Sequence, residues 1–556
     1  MKIFLWKTFI AIALGVLHLL PLRGDKYLLK TRLYPVDFQE GKYSLLPELP
    51  GILHLSINGD KNKVKGKDLC FEIEFPEDSI RLLGASHAMP YDENSTDGKR
   101  EFRKNLVKKV KDGVYRIKIS QWFINQLRIS GHPLKNHEQI AIAVTPGAKS
   151  KKAIVSYHML LDGKPVSEEK KFEVTILPKL PCNRLKAKHF RGYFGEAVTI
   201  HFPNAALVDA YDKYLCSLVE KPMLMLQRWN FLMSQKAEHK KFGTIYDPVM
   251  SYSLVGTTPL GYTTKWWKNK KYKKKFPLVK ASWFCKAIPD VWYGIEDPEG
   301  LIYDKLFPLE LKTRLQHAEN TKYLWCNFEP GPIYSEWAMS KENLKRFAKF
   351  ARLASTPDAE TVKKKYNKYW VKFRTHQNNQ IAQNMIKSIH KYFPGKEAWI
   401  CTEALFPIRP VHPGCAVDSR TLDKFVDGFF NMAYTGGKTF HERLECNTKP
   451  ILKKPQIIFI DPAENILSFF KRYSPKIIKQ QIIALAALGF EGVGIYPDII
   501  LDGNYYTTMA EAFNIVAMAE DIYSQKHNNS NLETKILNST EFVIEDKGVK
   551  SIMYIP

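Results

Sequence analysis

The stretch Tyr323-Leu-Trp-Cys-Asn-Phe-Glu-Pro330 decides how the rest of the chain is read. An apolar run leads directly into Asn327 and Glu329, and Pro330-Gly331-Pro332 then turns the chain. In an extended strand residues two apart share a face, so Asn327 and Glu329 point the same way. An amide there can fix a substrate hydroxyl while the carboxyl transfers a proton. A helix-capping or salt-bridged carboxylate at a strand end is the structural alternative.

Around this stretch, apolar runs alternate with helical ones from about Arg191 to Gln525, the pattern of an α/β domain. The candidate strands are Ala197–Phe202, Met223–Trp229, Val279–Cys285, Tyr323–Glu329, Ala398–Glu403, Val426–Met432, Gln456–Asp461 and Gly492–Tyr496. Helices are predicted over Lys341–Leu353, with Ser340 as N-cap, and over Ala359–Tyr392 as one long helix or two. Others are predicted over Ser419–Phe425, Pro475–Leu488 and Thr507–Tyr523, with Gly489 ending the fourth of these five. Eight strands joined by helices suit a (β/α)8 barrel, with an open α/β sheet as the alternative.

Upstream, alternating stretches such as Gly51–Asn58, Leu69–Phe75, Gly113–Ile119 and Lys171–Ile176 predict a β-sandwich. Downstream, Phe542–Glu545 and Lys550–Ile555 predict a short C-terminal β segment. The expected division is therefore a signal peptide over 1–24, a β-sandwich over 25–181, the barrel over 191–525 and the β segment over 526–556.

A basic start, Met1-Lys-Ile-Phe-Leu-Trp-Lys7, precedes an apolar run from Phe9 to Leu22, which is the pattern of an export signal. No later stretch is long and apolar enough to span a bilayer. An exported protein, placed outside the cell, in a periplasm or on the cell surface, is the expectation. Its 83 Lys plus Arg against 57 Asp plus Glu give a net charge of +26, a field that attracts anions. Export argues against nucleic acid as the partner, and leaves an anionic polysaccharide, an acidic cell surface or simple solubility as readings of the charge, the first being the expected partner. The 8 cysteines form no CxxC pair, which leaves a structural zinc or iron–sulfur site unsupported. Cys285, Cys326 and Cys401 lie in strand-like runs as buried thiols, and the loop-borne Cys415 and Cys446 are the candidates for a disulfide.

Other strand ends supply further carboxylates. Gln456-Ile-Ile-Phe-Ile-Asp461-Pro462 ends in an acid, with Glu464 three residues on, and Trp399-Ile-Cys-Thr402-Glu403 ends in another. Asp498 follows the last strand, and Glu296-Asp297 follow Val291–Ile295. Cleaving a glycosidic bond needs two such groups, one to protonate the leaving oxygen and one to attack or to activate water. Trp283, Trp292, Tyr293, Trp325, Trp337 and Tyr496 are candidate stacking surfaces for sugar rings, and each serves equally well as core filling. No P-loop, G-x-G-x-x-G after a strand, H-E-x-x-H or G-x-S-x-G is present, so neither a cofactor nor a metal is expected. His376 is an isolated histidine in a helical stretch.

The arrangement resembles the superfamily of retaining glycoside hydrolases built on (β/α)8 barrels. In that group an acid/base glutamate follows an asparagine at the end of the fourth strand, and a nucleophile follows the seventh. The resemblance covers about the C-terminal two-thirds of the chain and implies Asn327 as the asparagine, Glu329 as acid/base and Asp461 as nucleophile, with Glu403 as substitute. Two departures stand beside it: Phe328 separates Asn327 from Glu329, and the seventh strand carries aspartate where glutamate is usual. They keep open a rival reading, a carbohydrate-binding or cell-surface protein whose barrel has lost the catalytic pair.

Overall fold

The computed structural model describes residues 27–38, 41–86, 107–119, 138–181, 184–194, 205–224, 245–246, 278–279, 288–315, 323–328, 333–335, 338–403, 416–433, 452–465, 468–495, 501–528, 533–538, 541–546 and 549–554. The signal segment, Cys415 and Cys446 lie outside them.

The N-terminal region is a mixed β unit of two sheets. One runs, in spatial order, Leu29–Tyr34, Gly51–Gly59, Glu138–Val144 and Ile80–Ser86, all antiparallel. The other orders Lys42–Leu45, Lys170–Ile176, Lys152–Leu161, Leu69–Glu74, Val114–Lys118 and Val107–Lys111, its first pair parallel. Alternation explains the layering. Leu53, Leu55, Ile140 and Ile142 of the first sheet share one buried cluster with Phe71, Ile73, Val155 and Val174 of the second.

The C-terminal region is built on one parallel sheet. Its strands in chain order are β1 (Arg191–Phe194), β2 (Met223–Leu224), β3 (Ile245–Tyr246), β4 (Tyr323–Asn327), β5 (Glu397–Glu403), β6 (Gly428–Met432), β7 (Gln456–Ile460) and β8 (Gly492–Ile495). The spatial order is β3-β2-β1-β8-β7-β6-β5-β4, every neighbour parallel. That order is cyclic: the eighth strand pairs with the first. Among the described residues no pairing joins β3 to β4.

Two early strands differ from the sequence reading. Arg191–Phe194 serves as the first strand, and Ala197–Phe202 lies outside the described residues. The third is Ile245–Tyr246, whereas Leu278–Val279 pairs antiparallel with Ile288–Pro289 in a separate ribbon. The apolar run at 279–285 looked like a buried strand, and apolarity alone carries no information about which sheet a segment joins.

Seven helices matter below: α1 (Ala205–Leu218), α2 (Val291–Glu296), α3 (Lys341–Phe350), α4 (Ala359–Lys365), α5 (Asn367–Tyr392), α6 (Pro475–Ala487) and α7 (Gly503–Asn528). The predicted stretch 359–392 is thus two helices, broken at Tyr366. Ser340 caps α3 by accepting from the Asn343 amide at 3.2 Å. Gly489, at φ +81°, follows α6 in the left-handed conformation that glycine tolerates.

The β unit packs against the helices beside β1 and β8. Leu46, Leu49 and Ile52 join a buried cluster with Tyr211 and Leu215 of α1 and Tyr506 and Met509 of α7. The Tyr211 hydroxyl donates to the Pro50 carbonyl at 2.6 Å, and Ser44 Oγ accepts from the Asn504 amide at 2.9 Å. The chain ends in a three-stranded antiparallel meander of Glu533–Asn538, Glu541–Asp546 and Val549–Tyr554.

Candidate functional site

The two faces of the parallel sheet are distinguished by what they bury. Leu324, Cys326 and Phe328 on or just past β4, and Ala398 and Ile400 on β5, join a cluster with Phe347 of α3 and Trp370 and Ile381 of α5. Ile458 and Ile460 of β7 and Val493 and Ile495 of β8 pack with α6 and α7. The alternate positions carry a different, aromatic set. Trp399 meets Tyr323 edge-on, with ring centroids 5.4 Å apart, and Phe430 at 5.2 Å; Phe430 stacks on Phe459 at 5.7 Å. All four rings are buried, so they fill the inner face rather than line water.

The inner face closes across the sheet. Arg191 Nη1 on β1 donates to the Tyr323 hydroxyl on β4 at 2.6 Å, and its guanidinium lies 5.4 Å from the Tyr323 ring centre. Glu491 balances the arginine at 3.2 Å. Through the sheet β1 and β4 are five strand spacings apart, which in a flat sheet is about 24 Å. No arginine reaches that far, so the sheet is strongly curled. Tyr323 is the first residue of β4 and Arg191 the first of β1. The bridge therefore lies at the N-terminal end of these strands.

Strand carboxylates stand at the C-terminal end of the sheet. Asp461 follows β7 immediately and keeps 1% of its surface exposed. It continues the alternation of Ile457 and Phe459, on the face away from Ile458 and Ile460. Beyond it, Ala463–Asn465 and Ser468–Arg472 form a hairpin that returns the chain to Pro462, where the Tyr473 amide donates to the Pro462 carbonyl at 2.8 Å. The hairpin's base is clamped: Arg472 lies 3.5 Å from Asp502 and stacks over Tyr505 at 4.5 Å. Burial raises the Asp502 pKa, and the Arg472 guanidinium partly opposes that.

Glu403 is the last residue of β5, in register with Met432 of β6, which in turn pairs with Phe459 of β7. Asn327 is the last residue of β4 and pairs with Cys401, and the Phe328 amide extends the ladder by donating to the Cys401 carbonyl at 2.9 Å. Trp325 sits on the same strand. Glu329, Trp283, Trp337, Tyr496 and Asp498 lie outside the described residues.

Trp292 and Tyr293 lie on α2, in the helix layer. Tyr293 is buried in the core there, and Trp292 supports the Arg346 guanidinium at 4.3 Å. Glu296 pairs with Arg346 at 2.8 Å, and Asp297 accepts from the Tyr303 amide at 2.9 Å, both local structural duties. His376 is exposed and stacks on Phe350. Cys326 and Cys401 are buried thiols. No group of His, Cys, Asp and Glu among the described residues could hold a metal ion.

Sequence reasoning missed the floor. Arg191 and Glu491 flank short strands and carry no motif, and Trp399 was read only as the start of a strand. One signal was available: Gly428, the residue paired with Trp399 across β5 and β6. A Cβ on Gly428 would lie 2.6 Å from the Trp399 ring, so a glycine on the neighbouring strand makes room for the indole.

No family model matches this sequence. No curated protein matches it either. Among solved structures, the chain is similar to several glycoside hydrolases. A β-galactosidase from Bacillus circulans sp. alkalophilus aligns at 10% identity and a TM-score of 0.41, covering 61% of this chain and 57% of that one. A β-galactosidase from the psychrophilic Marinomonas ef1 aligns at 8% and 0.40, covering 61% and 60%. A cohesin module of a Clostridium perfringens family 33 glycoside hydrolase aligns at 13% and 0.18, covering 27% of this chain and 97% of that module. The chain thus spans less than two-thirds of either β-galactosidase. At these identities and scores the likenesses carry no argument about this chain's chemistry.

Proposed function

We propose that the protein is a glycoside hydrolase acting on a polysaccharide or oligosaccharide. Glu329 is the general acid/base, Asp461 the nucleophile or water-activating partner, and Glu403 the alternative partner. The observation that carries this reading is the strand arrangement. β4, β5 and β7 are parallel members of one curled sheet, and their last residues lead into Glu329, Glu403 and Asp461 at one end. Cys326, Phe328 and Ile400 pack on the helix side, and an inner-face placing of Asn327, Glu329 and Glu403 is part of the proposal, supported by alternation along the strands. Closure of the sheet into a (β/α)8 barrel is part of the proposal, supported by the cyclic strand order and by the Arg191–Tyr323 bridge.

In this reading Asn327 orients a substrate hydroxyl. Trp283, Trp325, Trp337 and Tyr496 stack on sugar rings, and Asp498 accepts from a hydroxyl at the rim. Glu329 gives its proton to the glycosidic oxygen as the second carboxylate attacks the anomeric carbon or deprotonates a water. The N-terminal segment Met1–Leu22 supports export of the mature chain. Among the described residues no helix is long and apolar enough to cross a membrane.

A second reading, a carbohydrate-binding protein without hydrolysis, is favoured by the 1% exposure of Asp461, because a nucleophile must meet its substrate. A panel of neutral and acidic polysaccharides, assayed in parallel for reducing-end release and for binding, separates the two. Hydrolysis that disappears in Asp461→Asn supports the enzyme; binding without hydrolysis in the unaltered protein supports the second reading.

A further inference from the structure

The junction of α4 and α5 presents cations together with bare aromatic rings. α4 ends in Lys363-Lys364-Lys365, and one residue later α5 opens with Lys368 and Tyr369 and reaches Lys372 a turn on. All five lysines are exposed. Among the described residues, Lys363 pairs with Glu360 at 2.7 Å, and no ion pair engages Lys364, Lys365, Lys368 or Lys372. Tyr369 keeps 54% of its surface in water. Spacings of three and four place Tyr369, Lys372 and His376 along one side of α5. Beside that stripe, Phe350 of α3, 45% exposed, stacks on His376 with centroids 6.2 Å apart.

Phe350 also meets Phe373 at 5.3 Å and still keeps 45% of its surface in water. Phe347, Trp370 and Phe373 on the same helices already fill the core, with Phe347 and Trp370 centroids at 5.1 Å. Only three aromatic residues stand among the exposed large hydrophobic side chains of the described residues, and Phe350 and Tyr369 are two of them. Exposed rings beside unpaired ammonium groups suit one ligand chemistry above others. Pyranose rings offer C–H faces for stacking, and sulfate or uronate groups offer the counter-charge. A bilayer would call for a continuous apolar helix face, which lysines at 364, 365, 368 and 372 interrupt.

The stripe also begins beside the segment that follows β4. The Trp370 indole donates to the Ile333 carbonyl at 2.8 Å, and the Tyr334 hydroxyl bonds Asn367. Both tie the start of α5 to the segment that follows β4. We infer that the Lys364–Lys372 face of α4 and α5 binds an anionic polysaccharide and leads the polymer to the rim where Glu329 follows β4. The binding surface stands on its own residues; its role in feeding a cleavage site rests on the proposed function.

The test is binding of a heparin octasaccharide and of a galacturonate octamer to the full-length protein, with an uncharged β-glucan octamer as comparison. Lys364→Ser/Lys365→Ser/Lys368→Ser/Lys372→Ser is expected to weaken binding of the charged sugars by about tenfold or more. Tyr369→Ser is expected to weaken it severalfold at unchanged charge. A control that removes Lys63, Lys65, Lys149 and Lys151 from the β unit should stay within about twofold of the unaltered protein. All these positions are exposed, so the fold is not at risk. Equal losses in the control and the α4–α5 variant would overturn the inference, as would an unchanged Tyr369→Ser. Tighter binding to phosphatidylserine vesicles or to a single-stranded oligonucleotide than to either charged sugar would also overturn it. Hydrolysis of a short uncharged oligosaccharide by the α4–α5 lysine variant should match the unaltered protein, so the cleavage site and this surface are read separately.

Discussion

Arg191 and Tyr323 belong to strands at opposite sides of an eight-stranded sheet, and they share a hydrogen bond of 2.6 Å. That contact exists because the sheet is curled, and it gathers a guanidinium, a phenol and Glu491 at one end. Tyr323→Phe should remove the bond and cost about 0.5–1.5 kcal/mol. Arg191→Met should cost more, about 1–3 kcal/mol, because the Tyr323 hydroxyl and Glu491 both lose their partner. Urea unfolding monitored by fluorescence measures both; unchanged midpoints would contradict the role given to this bridge.

Trp399 occupies space that Gly428 vacates. Gly428→Ala should destabilise the protein by about 1–3 kcal/mol through overpacking against the indole. The double variant Gly428→Ala/Trp399→Phe should recover part of that loss, since the smaller ring yields room. A double-mutant cycle on unfolding free energies decides it, and strict additivity would contradict the packing account.

One aspartate–serine pair caps two helices. Ser340 Oγ accepts from the Asn343 amide of α3 and donates to Asp290 at 2.8 Å, while Asp290 caps α2. Ser340→Ala should therefore cost about 0.5–2 kcal/mol, the range for a lost cap. Ser340→Thr should retain most of the stability. Thermal unfolding of the two variants checks this, with equal losses counting against it.

The junction between the β unit and the parallel-sheet domain has a pH signature. Asp502 is buried beside Ser44 of the β unit, and burial raises its pKa above the ordinary aspartate value near about 4. A carboxyl raised in the folded state binds its proton more tightly there than in the unfolded chain. Its contribution is thus fully present below about pH 4 and is lost as pH climbs through the raised value. Unfolding free energies of the unaltered protein should fall, relative to Asp502→Asn, as pH rises from about 4 towards neutrality. Parallel pH profiles for the two proteins would refute this.

Legibility from sequence followed segment length. β4 and β7 could be read because four apolar or aromatic residues ran into a polar end, and α3 because Ser340 preceded a clean amphipathic run. β3 could not, because a two-residue strand has no period to detect, whereas β2 opens the run predicted over Met223–Trp229. The Leu278–Val279 ribbon shows the reverse failure, an apolar run whose pairing partner is set by tertiary contacts. At the candidate site, the strand ends bearing Asp461 and Glu403 were legible, whereas the burial of Asp461 and the Arg191–Tyr323 floor depend on how distant strands meet. No local pattern encodes that.

In the proposed reaction a carboxyl after β4 transfers the proton in glycoside cleavage. Its most direct test is the kcat/KM of Glu329→Gln on whichever polysaccharide the unaltered protein cleaves, with unfolding followed in parallel to show that the fold is kept. The account predicts a fall of about 10²–10⁴-fold at unchanged stability. Activity within about twofold of the unaltered protein would contradict it.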